Sequence, residues 1–146
     1  MSERPRIVVL RGHHANVGEL RAWEPLLDRF DVQVVTTTRA DQEIEDLRVP
    51  WVTARTRRAR LPRGRFGTLA TQAVGDAYVD LEPLVRGAAI VHTAELGPWF
   101  AVQPARLKRS CGYRLLVTVW ETIPFRSTFR TARAAANRRV VLAPST

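Results

Sequence analysis

The chain alternates between short uninterrupted apolar runs and longer stretches in which apolar residues recur every three or four positions. The first run, Ile7-Val8-Val9-Leu10, is β-branched and too short for a helix, so it predicts a strand. Similar runs predict strands over 32–36, 51–54, 89–92, 115–120 and 140–143. Between them, Leu20, Trp23, Leu26 and Leu27 have helical spacing within 19–29, where Pro25 requires a late start or a kink. Further helices are predicted over 68–85, with Leu69, Ala73, Ala77 and Leu81 on one face, over 99–109 and over 125–137. A short acidic stretch, 41–47, also reads as helical. Strands alternating with helices predict an α/β fold: a Rossmann-like, doubly wound, mainly parallel sheet of about six or seven strands with helices on both faces. Its 146 residues predict a single domain.

Composition narrows the class. One cysteine, Cys111, excludes a disulfide framework and a cysteine-based zinc site, and suits a reducing compartment. Three histidines without helical pairing make no metal cluster, so no metal is expected. No apolar run approaches the roughly 18 residues of a membrane span, and the N-terminal run is too short for a signal peptide. A cytoplasmic protein is expected.

Charge changes the picture more. The formal net charge is +9, and residues 55–65 contribute six arginines (Arg55, Arg57, Arg58, Arg60, Arg63 and Arg65) without a single acid. From residue 97 onward Glu121 is the only acid, and Arg126, Arg130 and Arg133 recur at helical spacing on one predicted face. Codon bias accounts for arginine over lysine but not for clustering, so an anionic partner is expected at these positions. A peripheral place on the inner membrane face would use the same arginines. Nucleic acid is the weaker expectation, because no RNA-binding aromatic motif, zinc finger or helix-turn-helix accompanies them.

Ligands of open α/β sheets collect outside the carboxyl ends of the strands. After the first predicted strand come Gly12, His13, His14, Asn16 and Gly18; after the fourth, His92-Thr93-Ala94-Glu95; after the fifth, Trp120-Glu121-Thr122; after the last, Pro144-Ser145-Thr146. The first loop lacks the G-x-G-x-x-G dinucleotide pattern, although glycines beside a helix start can turn backbone N–H groups toward a phosphate. His13 suits proton transfer near neutral pH, and Glu95 and Glu121 suit hydroxyl binding or proton transfer. A salt bridge to a neighbouring arginine is the competing use of either acid.

Four segments in order, IVVLRGHHANVGELRAWEPL, AAIVHTAELGPWF, RLLVTVWETIPF and ANRRVVLAPST, resemble the N-terminal, acceptor-side domain of family-4 glycosyltransferases of the GT-B fold. The resemblance implies retaining transfer of a sugar from a nucleotide-sugar co-substrate to an acceptor, with neither metal nor other cofactor. It implies donor phosphate and sugar contacts at Gly12, His13 and Glu95, and a catalytic role for Glu121 or His13. Two positions depart from the family: Ala94 and Trp120 stand where members often carry histidine. No glutamate has another eight positions on, so the Glu-x7-Glu motif of the family's donor-binding domain is not in this sequence. The expectation is the truncated acceptor half of a GT-B architecture over 1–146, without its donor domain and inactive alone. The alternative is a non-enzymatic, basic Rossmann-like module for anionic lipid or nucleic acid.

Overall fold

The computed structural model describes residues 4–13, 15–38, 47–61, 64–96, 98–120 and 132–144. Five strands, β1 (Arg6–Gly12), β2 (Asp31–Thr37), β3 (Trp51–Ala54), β4 (Ile90–Ala94) and β5 (Arg114–Thr118), form one sheet. Every pairing is parallel and the order is β3-β2-β1-β4-β5. Among the described residues five of the predicted strands are therefore present, one or two short of the expected number. Helices α1 (Val17–Leu20), α2 (Arg65–Val74), α3 (Glu82–Val85), α4 (Trp99–Cys111) and α5 (Ala132–Leu142) connect or follow them.

The inner strands β1, β2 and β4 are apolar on both sides because both sides are covered. On one face Val8 and Leu10 of β1 pack with Val35, Val91, Leu81, Val85 and Phe100. On the other, Ile7 and Val9 pack with Val32, Val34, Leu20 and Val49. The central residues Val8, Val9 and Leu10 are wholly excluded from solvent. Burial of such side chains supplies roughly 1.5–3 kcal/mol each, which makes β1 the axis of the fold.

Three sequence expectations need correction. The predicted helix over 19–29 is α1 followed by a 3₁₀ turn, Arg21–Leu26, that contains Pro25. Proline lacks the N–H that an α-helical turn needs, so the tighter and shorter form takes over. The predicted helix over 68–85 is two helices, α2 and α3, broken at Gly75, whose φ is +82° and where a Cβ would collide with the Trp99 ring. The predicted strand over 140–143 is the end of α5: Val141 is buried against Ala101, Val102 and Ala105 of α4, and Lys108 Nζ donates to the Ala143 carbonyl. Packing on α4 overrides the β-branched preference of Val140 and Val141. The predicted helix over 125–137 agrees with α5 from residue 132 on; its first part, and residues 41–46 of the acidic stretch, lie outside the described residues.

Helix α4 carries Pro104 in its interior, which leaves the Phe100 carbonyl without its helical donor. Thr93 Oγ1 of β4 donates to that carbonyl instead, at 3.4 Å. The Pro104 carbonyl accepts from Tyr113 Oη at 2.7 Å. These contacts lock α4 to the sheet and place Phe100 beneath the carboxyl end of β1.

Candidate functional site

Strand β1 has neighbours on both sides whose connections run in opposite directions, so the gap between the carboxyl ends of β1 and β4 is the sheet's switch point. At this gap Gly12 adopts φ +57°, and a Cβ on it would lie 2.7 Å from Phe100 Cδ2 and Cε2. Only glycine lets the chain turn there and admits the ring. The Gly12 N–H donates to Tyr78 Oη at 2.8 Å, and the Gly18 N–H to Asn16 Oδ1 at 2.8 Å. Both loop amides are thus satisfied within the chain.

Tyr78 is held from two sides. Gln103 of α4 accepts from its N–H and donates to its carbonyl, each at 2.8 Å, and Thr56 pairs with it as an antiparallel bridge. Its hydroxyl is buried, which raises its pKa well above the ordinary value, against the smaller opposing effect of the Gly12 hydrogen bond. Phenylalanine at position 78 is expected to cost about 1–3 kcal/mol, the penalty of a buried N–H without an acceptor. Urea denaturation of Tyr78→Phe measures it.

His13 packs edge-on against Phe100, with ring centroids 5.6 Å apart, and its Nδ1 lies 3.8 Å from Asp76 Oδ2. Asp76 is buried, and its other oxygen accepts from the N–H groups of Arg58 at 2.9 Å and Ala77 at 3.0 Å. This carboxylate anchors the basic segment beside the β1 loop. Sequence reasoning missed Asp76; its signal was the Gly-Asp pair inside an otherwise helical pattern.

Glu95 follows β4 directly with φ +65°, the only non-glycine residue in the left-handed region among those described. Such a conformation costs of order 1–3 kcal/mol and concentrates at functional sites. Two bonds hold it: its N–H donates to the Thr118 carbonyl at 2.9 Å, and its Oε1 accepts the Trp120 N–H at 3.1 Å. The ends of β4 and β5 are thereby tied together. Glu95, Phe100 and Trp120 line a hollow of about 220 Å³ at the switch point.

Arg11 forms the floor of this hollow. Strand β1 changes register between Leu10 and Gly12 against β2, so Arg11 is a bulge residue, and bulges re-aim side chains beside functional sites. Its guanidinium pairs with Glu19 of α1. Burial lowers its pKa, opposed by the nearby charge of Glu95.

Behind Arg11, His92 lies within β4 rather than at its end; its Nε2 is 2.8 Å from Thr118 Oγ1 and its ring packs on Trp23 at 4.8 Å between centroids. Burial, reinforced by the charge of Arg11, pulls its pKa down to about 4, so the ring is neutral at pH 7.

The structure therefore brings Gly12, His13 and Glu95 to one edge of the sheet. The basic segment leaves the carboxyl end of β3 on the same edge as a 3₁₀ turn, Arg57–Arg60, with Arg55, Arg57, Arg60 and Arg65 exposed and Arg58 half-buried. Arg55 lies 3.9 Å from Asp80. Glu121, Arg63, Arg126 and Arg130 lie outside the described residues. Among the described residues no group of three His, Cys, Asp or Glu side chains is placed to hold a metal, and no helix is long and apolar enough to cross a membrane.

An all-parallel sheet in this order, with polar chemistry gathered at its switch point, defines a Rossmann-like α/β domain. No model of a known protein family matches the chain, and no curated protein matches it.

Proposed function

We propose that this chain is the acceptor-side domain of a retaining glycosyltransferase, which moves a sugar from a nucleotide-sugar donor to an acceptor. The observation that carries the reading is Glu95: an acid in strained backbone at the mouth of the switch-point hollow, beside Arg11 and Trp120. A carboxylate there suits hydrogen bonding to a transferred sugar, and Trp120 offers a ring face to stack on it. His13, steadied by Phe100 and Asp76, and Glu121, one residue past Trp120, are the candidates for proton transfer. Gly12 contributes by shape, since its N–H is engaged by Tyr78. The order of the strand-end segments, which resembles family-4 glycosyltransferases, supports the same reading.

In that family a second domain holds the nucleotide, so the 146 residues should meet a nucleotide sugar only weakly, with a dissociation constant on the order of 1 mM, about −4 kcal/mol. Titrating the ¹⁵N-labelled chain with uridine- and guanosine-diphosphate hexoses tests this. The expected result is amide shifts at Arg11, Glu95 and Trp120 that Glu95→Gln abolishes. Shifts confined to the exposed arginines, and reproduced by inorganic pyrophosphate, would overturn it. The chain alone is not expected to turn over donor at ordinary enzymatic rates, because donor and acceptor are not held together.

A second reading, a basic module that rests on anionic lipid, is favoured by two exposed apolar residues of α2. Phe66 is 85% and Leu69 61% exposed, immediately after the arginines of 55–65. Apolar side chains beside arginines suit a lipid interface better than a phosphodiester backbone. Flotation with phosphatidylserine vesicles across a salt series tests it: retention at low salt that is lost in Phe66→Ser supports the reading, and no retention at any salt ends it.

A further inference from the structure

Behind the switch-point hollow lies a second cavity of about 500 Å³, on the face of the sheet covered by α1 and the 3₁₀ turn Arg21–Leu26. Its volume falls within the range of small-molecule sites. Arg11 and Trp120 line both spaces, so the two adjoin. Leu20 and Leu26 supply aliphatic wall, and Trp23 and Trp120 supply aromatic wall. The polar lining comes from Arg11, Glu19, His92 and Thr118.

Three observations point to a ligand and to its class. First, among the described residues Arg11 Nε and His92 Nδ1 are buried without a hydrogen-bond partner, the Arg11 side chain being 9% and His92 6% exposed. Buried polar atoms are rarely left this way, and a ligand oxygen or hydroxyl satisfies them. Second, the β1 bulge places an arginine directly after the apolar run Ile7-Val8-Val9-Leu10, and among the described residues its ion-pair partner is Glu19. Third, the cavity carries little net charge. Arg11 is balanced by Glu19, Glu95 lies on its other side, His92 is neutral at pH 7, and none of the arginines of 55–65 lines it. An anion gains little here; an uncharged hydroxylated molecule gains donors, acceptors and two ring faces.

We propose that this cavity is a binding site for an uncharged ligand with a ring or short hydrocarbon body and at least one hydroxyl. The body lies against Trp23, Leu26 and Trp120, and the hydroxyl meets Arg11 and His92. Occupancy of the cavity does not depend on the glycosyltransferase reading. That the ligand is the acceptor does rest on it: the hydroxyl oxygen then bonds to the anomeric carbon of the nucleotide sugar, the nucleoside diphosphate leaves, and the hydroxyl proton leaves with it.

The test compares 2-naphthol with 2-naphthoate, which share a ring system but differ in charge, by amide shifts of the ¹⁵N-labelled chain. The expected result is 2-naphthol binding with shifts at Ala22, Thr118 and Trp120, and 2-naphthoate at least about tenfold weaker. Trp120→Ala, at a residue 60% exposed, should weaken 2-naphthol about tenfold while the fold is retained by circular dichroism. Ala22→Trp, at an exposed position, should fill the space and abolish binding. No binding of 2-naphthol, equal binding of both probes, or binding indifferent to both variants overturns the proposal. Supplying a GT-B donor domain and nucleotide sugar separates the two claims. Bound 2-naphthol that is never glycosylated overturns the acceptor role alone, and sugar transfer unaffected by Ala22→Trp overturns the cavity as the acceptor site.

Discussion

Alanine in place of Gly12 is expected to destabilise the domain by about 3 kcal/mol. The left-handed backbone at φ +57° costs roughly 1–2 kcal/mol for a residue with a Cβ. Forcing that Cβ against Phe100, 2.7 Å away, adds an overpacking cost of about 1–3 kcal/mol. The ring cannot swing clear, because it is buried and flanked by Tyr78 at 4.9 Å and His13 at 5.6 Å between centroids. The two contributions are separable. Gly12→Ala combined with Phe100→Leu should show favourable coupling, since the smaller side chain relieves the clash but not the backbone strain. Urea denaturation of the three variants measures it. A loss under about 1 kcal/mol in the single variant would mean that the loop does not close on Phe100 as described.

The second large effect is one of pH. His92 titrates near 6.5 in an unfolded chain and at about 4 in the folded one, because burial and then Arg11 disfavour the charged ring. Between these values the unfolded state binds more protons, so stability is complete above pH 6.5 and falls as pH drops toward 4, below which this contribution is gone. The expected loss from this residue is about 2 to 3 kcal/mol. Carboxylates begin to titrate in the lower part of the same window, so the comparison is with His92→Gln, which keeps a hydrogen-bonding group toward Thr118 and has no proton to gain. Denaturation at pH 7 and pH 4 should show a markedly smaller loss in the variant. Equal losses would place the histidine in solvent.

How much of this was legible in the chain differs between sheet and site. Strands β1, β2 and β4 are apolar on both faces, so they stand out as uninterrupted runs, and a run such as Ile7-Val8-Val9-Leu10 leaves little alternative. Val140-Val141-Leu142 has the same appearance but lies in α5; a run this short is ambiguous until its neighbours are known, and here the neighbour is α4. The break between α2 and α3 was marked by Gly75, yet apolar periodicity carries straight across it. At the site, the rule that ligands gather past strand ends was enough to find Gly12, His13 and Glu95. It also pointed to His92, placed there at a strand end, whereas Arg11, Asp76 and Tyr78, whose significance comes from burial and from contacts across the sheet, were missed. Arg11 in particular reads as the polar end of a strand, and only the register against β2 makes it a bulge.

The strand order has a consequence for how the chain acquires its structure. Ile7 pairs with Val32 on one side but with Ile90 on the other, so one edge of β1 stays open until the polypeptide has grown by more than eighty further residues. At about 5–20 residues per second, a nascent chain carries that open edge for roughly 4 to 16 s. Its most apolar strand is then exposed to pairing with other chains, which makes the interval before β4 emerges the step at which synthesis most needs a chaperone.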